Sequence, residues 1–215
     1  MKPTHVGLIP DGMRRWADAH NATLAESYLR GAQKVVALLL ALRRNDVQTV
    51  SVYNLSRANL ARPDAELDAV YGASIEFFTK LIPDHFDLDD CTVRLHGDRS
   101  LLPREYVSAA EALEAATNDG AFRINILAAY DAVDELRAAH ARAQREECDI
   151  AAAFDIPDVD LVIRTTPEPL LSGFLPLQSQ YAELVFLTTP LNDLHADYID
   201  ELIAKHRQFP QRRGR

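Results

Sequence analysis

Cysteine is scarce in this chain: two among 215 residues, Cys91 and Cys148, far apart in sequence. A disulfide framework is therefore excluded, and the pair has no metal-type spacing. No run of 18 apolar residues occurs, so no membrane-spanning helix is expected. Residues 1–11 carry no signal-peptide pattern, which with the cysteine usage leads to the expectation of a reducing, cytoplasmic setting. A long basic block is also missing, and the formal net charge is −9. Nucleic acid is accordingly not expected as a partner. Internal repeats, low-complexity tracts and linkers are absent, so residues 1–215 read as a single domain. What remains, 47% hydrophobic and 26% charged, is the composition of a globular protein with one sizeable core.

Six short apolar runs read as buried strands: Val6–Ile9, Thr49–Ser56, Cys91–Gly97, Phe122–Ala129, Val159–Thr165 and Ala182–Leu187. Helical patterns separate them. Glu26–Arg44 carries an apolar face with Val35, Val36, Leu38, Leu39 and Leu42, and stops near Asn45-Asp46. Arg62-Pro63 opens a helix to about Leu81, with Asp64 and Glu66 near its positive end. Leu102–Thr117, Asp131–Arg145 and about Ala196–Arg207 complete the helices, and Gln208–Arg215 is a basic tail. Strands alternating with helices imply right-handed crossovers. The expected class is α/β, a mostly parallel six-stranded sheet flanked by helices. Ligands of such sheets collect at the carboxyl ends of the strands. Asp11, Ser56, Asn59, Arg62, Arg164 and Ser172 all fall at or just after strand ends, so they can converge on one cleft.

The stretch "HVGLIPDGMRRW" (His5–Trp16) gathers a carboxylate, a glycine and two guanidiniums in one turn. Gly12 lets the backbone approach a ligand, and the peptide N–H groups after it sit at a helix start. Arg14 and Arg15 suit phosphate oxygens. Asp11 has the wrong sign for phosphate unless a cation lies between, and magnesium bridging Asp11 to a diphosphate resolves the conflict. Taken singly, such a turn is as readily structural. The same holds for "SRANLARP" (Ser56–Pro63), which also reads as loop and helix-cap chemistry, and for Glu183, which also reads as a solvated strand-end charge. In "RTTPEPLLSGF" (Arg164–Phe174), Arg164 and Ser172 suit a second anion.

Taken together and in order, "HVGLIPDGMRRW", "SRANLARP", "RTTPEPLLSGF" and "YAELVF" resemble the cis-prenyltransferase family of the undecaprenyl diphosphate synthase type, from His5 to about Phe209. The resemblance implies a parallel α/β fold with a hydrophobic tunnel, a homodimer, and magnesium-dependent carbon–carbon bond formation between diphosphate substrates. It implies that Asp11 and Glu183 are the metal-associated carboxylates. Gly12, Arg14 and Arg15 would then cradle the allylic diphosphate, with Met13, Trp16 and Tyr28 also at substrate-binding positions. Ser56, Asn59 and Arg62 would lie beside the reacting carbons. Arg164, Ser172 and position 170 would hold a second diphosphate.

Departures from the family pattern redirect the expected reaction. Met13 stands in place of Asn, Leu24 and Tyr28 in place of Arg and His, and Leu60 in place of Trp. Pro169 and Leu170 replace residues of an "ExR" segment, and Asn54 replaces a small residue beside the tunnel. The lavandulyl and cyclolavandulyl diphosphate synthase type resembles this chain in "PDGMRRW", in the Leu and Tyr, and in an "F-P-L" where this chain has "FLPL" (Phe174–Leu177). Enzymes of that type join dimethylallyl units head to middle, in some cases with ring closure. Leu170 departs even from that group. Arg57 and the tail's Arg212-Arg213-Gly214 are the candidate substitutes for the missing guanidinium. The expected activity is magnesium-dependent irregular coupling of dimethylallyl or another short allylic diphosphate such as geranyl. Asn54, Phe77 and Phe78 are expected to keep the product short. The alternatives are ordinary cis-1,4 elongation with isopentenyl diphosphate, a single-substrate cyclase or diphosphate lyase, and a non-catalytic partner subunit.

Overall fold

The structure, a computed structural model, describes residues 3–206. Six strands, β1 (His5–Ile9), β2 (Thr49–Tyr53), β3 (Cys91–His96), β4 (Phe122–Leu127), β5 (Leu161–Arg164) and β6 (Glu183–Phe186), form one sheet in the order β3-β4-β2-β1-β5-β6. Every pairing is parallel. The sequence reads these strands as apolar runs because a parallel sheet is covered on both faces, and β1 is buried at all its positions. Side-chain alternation then divides the core. Val6, Leu8, Val50, Val52, Ile124 and Ile126 join the layer of α2 (Leu24–Arg44), α3 (Asp64–Glu76), α5 (Arg104–Ala116) and α7 (Asp197–His206). Ile9, Tyr53, Leu127 and Val162 face Ile156, Phe174 and Leu175 on the other side.

Local chemistry sets the helix ends. Thr23 and Glu26 form a reciprocal capping box: Thr23 Oγ1 accepts from Glu26 N at 3.2 Å, and Thr23 N donates to Glu26 Oε2 at 2.8 Å. Asp131 caps α6 (Ala132–Glu146) through the N–H groups of Val133 and Asp134. The helix α1 (Met13–His20) is mostly polar, and the apolar pattern alone does not delimit it. Beyond Glu76 the chain widens into a π-helical turn, Phe77–Leu81, before α4 (Ile82–His85). Neighbouring residues of a regular helix diverge by about 100°. The widened turn lets Phe77 and Phe78 both face inward, as such turns often do beside functional cavities.

A polar line crosses the second face of the sheet. His5 Nδ1 donates to the carbonyls of Pro157 and Asp158 (3.1 and 3.0 Å), and Nε2 accepts from Ser51 Oγ at 2.8 Å. Asn125 donates to Ser51 Oγ and accepts from Arg123 Nε and His96 Nε2. Burial pushes the pKa of His5 and of His96 below the ordinary value. The tail motif Arg212-Arg213-Gly214 lies outside the described residues.

Candidate active site

The carboxyl ends of β1, β2 and β5 and the inner faces of α2 and α3 enclose a cavity of about 640 Å³. The chain reaches it from β1 through Pro10-Asp11-Gly12. Gly12 adopts φ +100°, a left-handed conformation that suits glycine, and its N–H donates to Asp11 Oδ1 at 2.6 Å. The turn delivers the first N–H groups of α1, which have no intrahelical acceptor, to the cavity mouth. Thr165 fixes Asp11 from β5 by exchanging two hydrogen bonds of 2.8 Å with its backbone.

At the mouth, charges come in compensating sets. Asp11 Oδ2 accepts from Arg164 Nη2 at 2.7 Å and from Thr166 Oγ1 at 3.3 Å. Arg15 forms a two-point pair with Glu168 (2.7 and 3.5 Å), which holds the Glu168 carboxyl well below its ordinary pKa, at about 2. Arg62 lies 3.1 Å and Arg14 3.6 Å from Glu66 Oε1. Tyr28 Oη donates to the same oxygen at 2.8 Å. Burial, and next the Glu66 carboxylate, raise the Tyr28 pKa above the ordinary phenol value. Arg14, Arg15, Arg62 and Arg164 thus face Asp11, Asp18, Glu66 and Glu168, four charges of each sign.

The inner end is apolar, lined by Val35, Val52, Val70, Phe77, Phe78 and Ile126. Asn54 closes it. Both of its amide protons are engaged, one by Ser74 Oγ at 3.0 Å and one by Tyr106 Oη at 2.7 Å. Phe78 stands edge-on to Tyr106 at 5.2 Å.

The expected site residues fall into two groups. Asp11, Gly12, Met13, Arg14, Arg15, Tyr28, Ser56, Asn59, Arg62, Arg164 and Ser172 all line the one cavity, although they span more than 160 positions of sequence. Met13 packs near Gly31 of α2, and its carbonyl accepts from Ser27 Oγ at 2.7 Å. Ser56 and Asn59 also cap the short turn Arg57–Ala61. Ser56 Oγ accepts from Asn59 N, and Asn59 Oδ1 accepts from Ser56 N, each at 3.1 Å.

Four residues lie elsewhere. Trp16 turns from the cavity, donates to Asp193 Oδ1 at 2.8 Å and stacks on His20, so it fastens α1 to the 191–193 turn. Leu170 is 58% exposed and lines nothing. Only its backbone takes part: the carbonyl accepts from Arg164 Nη1 and the N–H donates to the Glu168 carbonyl at 2.8 Å. Arg57 does not replace the missing guanidinium. It points over β3 and β4, where it pairs with Asp98 at 3.1 Å and Asp134 at 2.5 Å. Glu183 does not share an ion with Asp11 within one chain, for a reason of register. It is level with Leu161 and Val6 at the amino end of the sheet, at least about 10 Å short of the carboxyl edge at 3.3 Å per residue. There it accepts from His206 Nδ1 at 2.5 Å.

Glu66 is the buried charge behind the cavity mouth that the sequence conceals. Its position suggests a helix-dipole charge, yet its side chain is 5% exposed. The i,i+4 spacing to Arg62 was the available signal. The third partner, Tyr28, lies 38 positions away.

The donors at the mouth fit magnesium. Among the described residues no group of three metal-ligating side chains occurs. Magnesium, however, characteristically takes one or two carboxylates and completes its shell with phosphate oxygens and water. Asp11, facing the cavity between guanidiniums, would supply that one carboxylate. Because the mouth is already charge-balanced, a diphosphate entering alone would leave it strongly negative, which favours entry with a divalent cation.

Known proteins resemble this chain along nearly its whole length. The family model described as putative undecaprenyl diphosphate synthase matches residues 9–214. A tritrans,polycis-undecaprenyl-diphosphate synthase (geranylgeranyl-diphosphate specific) of Pyrobaculum aerophilum is 30% identical, over 99% of this chain and 96% of its own. The bifunctional protein CrtB/UppS of Streptomyces coelicolor is 32% identical over 96% of this chain, which spans 40% of that protein's length. Among solved structures, lavandulyl diphosphate synthase from Lavandula x intermedia superposes with a TM-score of 0.86 at 22% identity, covering 98% of this chain and 97% of that one. A probable undecaprenyl diphosphate synthase from Campylobacter jejuni gives 0.79 at 22% identity, over the whole of both chains.

Proposed function

Because the chain belongs to the undecaprenyl diphosphate synthase family of prenyltransferases, we propose that it is a magnesium-dependent short-chain synthase coupling dimethylallyl diphosphate irregularly, head to middle. The observation that carries this reading is the cavity over β1, β2 and β5, with a balanced arginine and carboxylate mouth and an apolar end closed by Asn54. Magnesium held by Asp11 would neutralise the leaving diphosphate. Arg14, Arg15 and the helix N–H groups orient that diphosphate, and Arg62 adds charge beside the reacting carbons. The apolar wall keeps water from the allylic cation. In a cavity closed by Asn54, a product of about ten to fifteen carbons is expected.

The acceptor side supports dimethylallyl over isopentenyl diphosphate. Four of the five N–H groups of Arg164 are engaged by Thr166, Leu170, Ser172 and Asp11. Leu170 brings no guanidinium. Met13 offers a polarizable thioether to the cavity instead of a polar group. The same facts favour, as a second reading, a cyclase or lyase acting on one diphosphate. The solved lavandulyl diphosphate synthase holds dimethylallyl diphosphate, which fits the first reading.

We further propose a homodimer through the open edge of β6, where Leu170, Leu177, Tyr181 and Leu184 are exposed, and a cytoplasmic setting. Among the described residues no helix is long and apolar enough to cross a membrane. The decisive experiment incubates the protein and magnesium with dimethylallyl, isopentenyl, geranyl and farnesyl diphosphates, singly and in pairs, and identifies the products. Conversion of dimethylallyl diphosphate alone to a branched or cyclic ten-carbon diphosphate is expected. Faster elongation of an allylic primer by isopentenyl diphosphate would replace the irregular reading with ordinary cis elongation. Conversion without coupling would support the single-substrate reading.

A further inference from the structure

Coupling of allylic diphosphates ends with a carbocation that must lose a proton, so the cavity needs an acceptor. Most candidates at its wall are otherwise engaged. Ser56 Oγ and Asn59 Oδ1 accept backbone N–H groups, Asp11 accepts from Arg164, and Glu168 is clamped by Arg15. Tyr28 differs. Its ring is packed in the core while the residue lines the cavity, and its hydroxyl proton is aimed at a buried carboxylate, Glu66 Oε1, 2.8 Å away.

Resting on the allylic diphosphate reading above, we propose that the Tyr28 hydroxyl, backed by Glu66, takes the proton that ends the reaction. A C–H bond next to the cationic carbon breaks and its electron pair becomes the new C=C bond. The proton joins Tyr28 Oη as the phenol's own proton passes to Glu66 Oε1. Return of that proton through Tyr28 to the departing diphosphate resets the pair. A phenol oxygen is a weak base, but a carbocation is a very strong acid. The concerted handover to Glu66 also avoids a doubly protonated phenol. Arg62 and Arg14, 3.1 and 3.6 Å from Glu66, compensate the buried carboxylate until the proton arrives. The raised Tyr28 pKa agrees with a hydroxyl that is protonated when the substrate enters.

Two variants test the pair with magnesium and dimethylallyl diphosphate, unlabelled and deuterated at its methyl groups. Tyr28→Phe keeps the ring and should lower kcat at least about 100-fold, the lower end of general-base effects. Its KM should stay within about threefold of wild type. Deuteration should slow it by more than it slows the wild type. Glu66→Gln removes a negative charge beside two arginines, so it should lower KM while also lowering kcat at least about tenfold. A merely structural role predicts that KM rises with kcat unchanged and with no isotope effect, and that result overturns the proposal. So does a folded Tyr28→Phe variant whose kcat is within twofold of wild type. If the wild type converts no allylic diphosphate, the functional reading itself fails and the proposal falls with it.

Discussion

Two clefts open at the carboxyl edge of this sheet, and both are rich in charge. The larger lies over β1, β2 and β5. The smaller, about 410 Å³, lies over β3 and β4 and gathers Arg57, His96, Asp98, Asp131, Asp134, Glu135 and Asp155. In the smaller cleft the carboxylates have structural duties. Asp131 caps α6, Asp98 caps the Arg99–Leu101 turn, Asp155 pairs with Arg142 and Glu135 accepts from Tyr130. The larger cleft also balances its charges, but it adds what the smaller lacks: an apolar end and the open N-terminus of α1. Charge density alone therefore does not mark a prenyl diphosphate site. The proposed reaction needs a charged mouth joined to an apolar recess, and only the larger of these two clefts combines them.

The comparison breaks most sharply at Asp11. Asp11→Asn preserves the shape of the turn but removes the carboxylate that would direct magnesium. It should cost several kcal/mol of transition-state stabilisation, on the order of a thousandfold in turnover. Steady-state rates, with circular dichroism as a check on folding, decide the matter. A variant retaining more than a tenth of wild-type activity would remove Asp11 from the chemistry. Position 170 gives the next largest effect. Leu170→Arg offers a guanidinium to a second diphosphate, and one charge-assisted contact should lower the KM of the second five-carbon substrate about tenfold. An unchanged KM would favour a reaction on one diphosphate.

The recess can be lengthened at its floor. Asn54→Ala takes a donor from Ser74 and from buried Tyr106, which should cost about 1–2 kcal/mol of stability. It should also shift part of the product to longer chains. Mass spectrometry of the products is the check, and an unchanged length would place the limit at Phe77 and Phe78.

Much of this was legible in the sequence, for physical reasons. All six strands could be read because a doubly covered parallel sheet needs continuous apolar runs. The rule that ligands gather at strand carboxyl ends brought Asp11, Ser56, Asn59, Arg62, Arg164 and Ser172 to one cavity. Three features stayed hidden. Glu183 belongs to a motif, but its position follows from strand register, which the motif does not encode. The π-helical turn at Phe77–Leu81 has no signature distinct from a helix. The burial of Glu66 depends on Tyr28 arriving from a different helix.

The pH dependence of stability separates the larger cleft from the polar line beneath the sheet, which reaches the smaller cleft at His96. His5 and His96 have folded-state pKa values below the ordinary 6.5, because burial disfavours the charged imidazole. The unfolded chain therefore binds more protons just below pH 6.5. Stability is fully present above that value and falls as the pH drops through it. The slope approaches about 1.4 kcal/mol per pH unit for each histidine until the folded forms also protonate. The Arg15–Glu168 pair should contribute little in this window, since its stabilisation is present above the ordinary Glu value of 4.5 and is lost only as the pH falls from there toward the lowered folded value. Urea midpoints at pH 7.5 and 5.5 test this, and His5→Asn should flatten the dependence. A midpoint that rises on acidification would contradict the burial of these rings as neutral groups.

The smallest effect is expected where the second cleft is altered. Asp134 pairs with Arg57 at 2.5 Å and with Arg137 at 2.8 Å, and its side chain is 35% exposed. Such partly solvated pairs contribute about 0–1 kcal/mol, and Asp134→Asn keeps the size of the side chain. Arg57 retains Asp98 as a partner. Because none of these groups lines the larger cavity, the variant should turn over dimethylallyl diphosphate within about twofold of wild type, and its urea midpoint should fall only slightly. The adjoining turn makes this a demanding test. Arg57 lies next to Ser56, and the Ser56–Asn59 cap is two hydrogen bonds that a reoriented Arg57 could pull apart. A tenfold loss of turnover with stability intact would show that the second cleft positions Ser56 and Asn59, and that the two clefts form one machine joined through the Arg57–Ala61 turn.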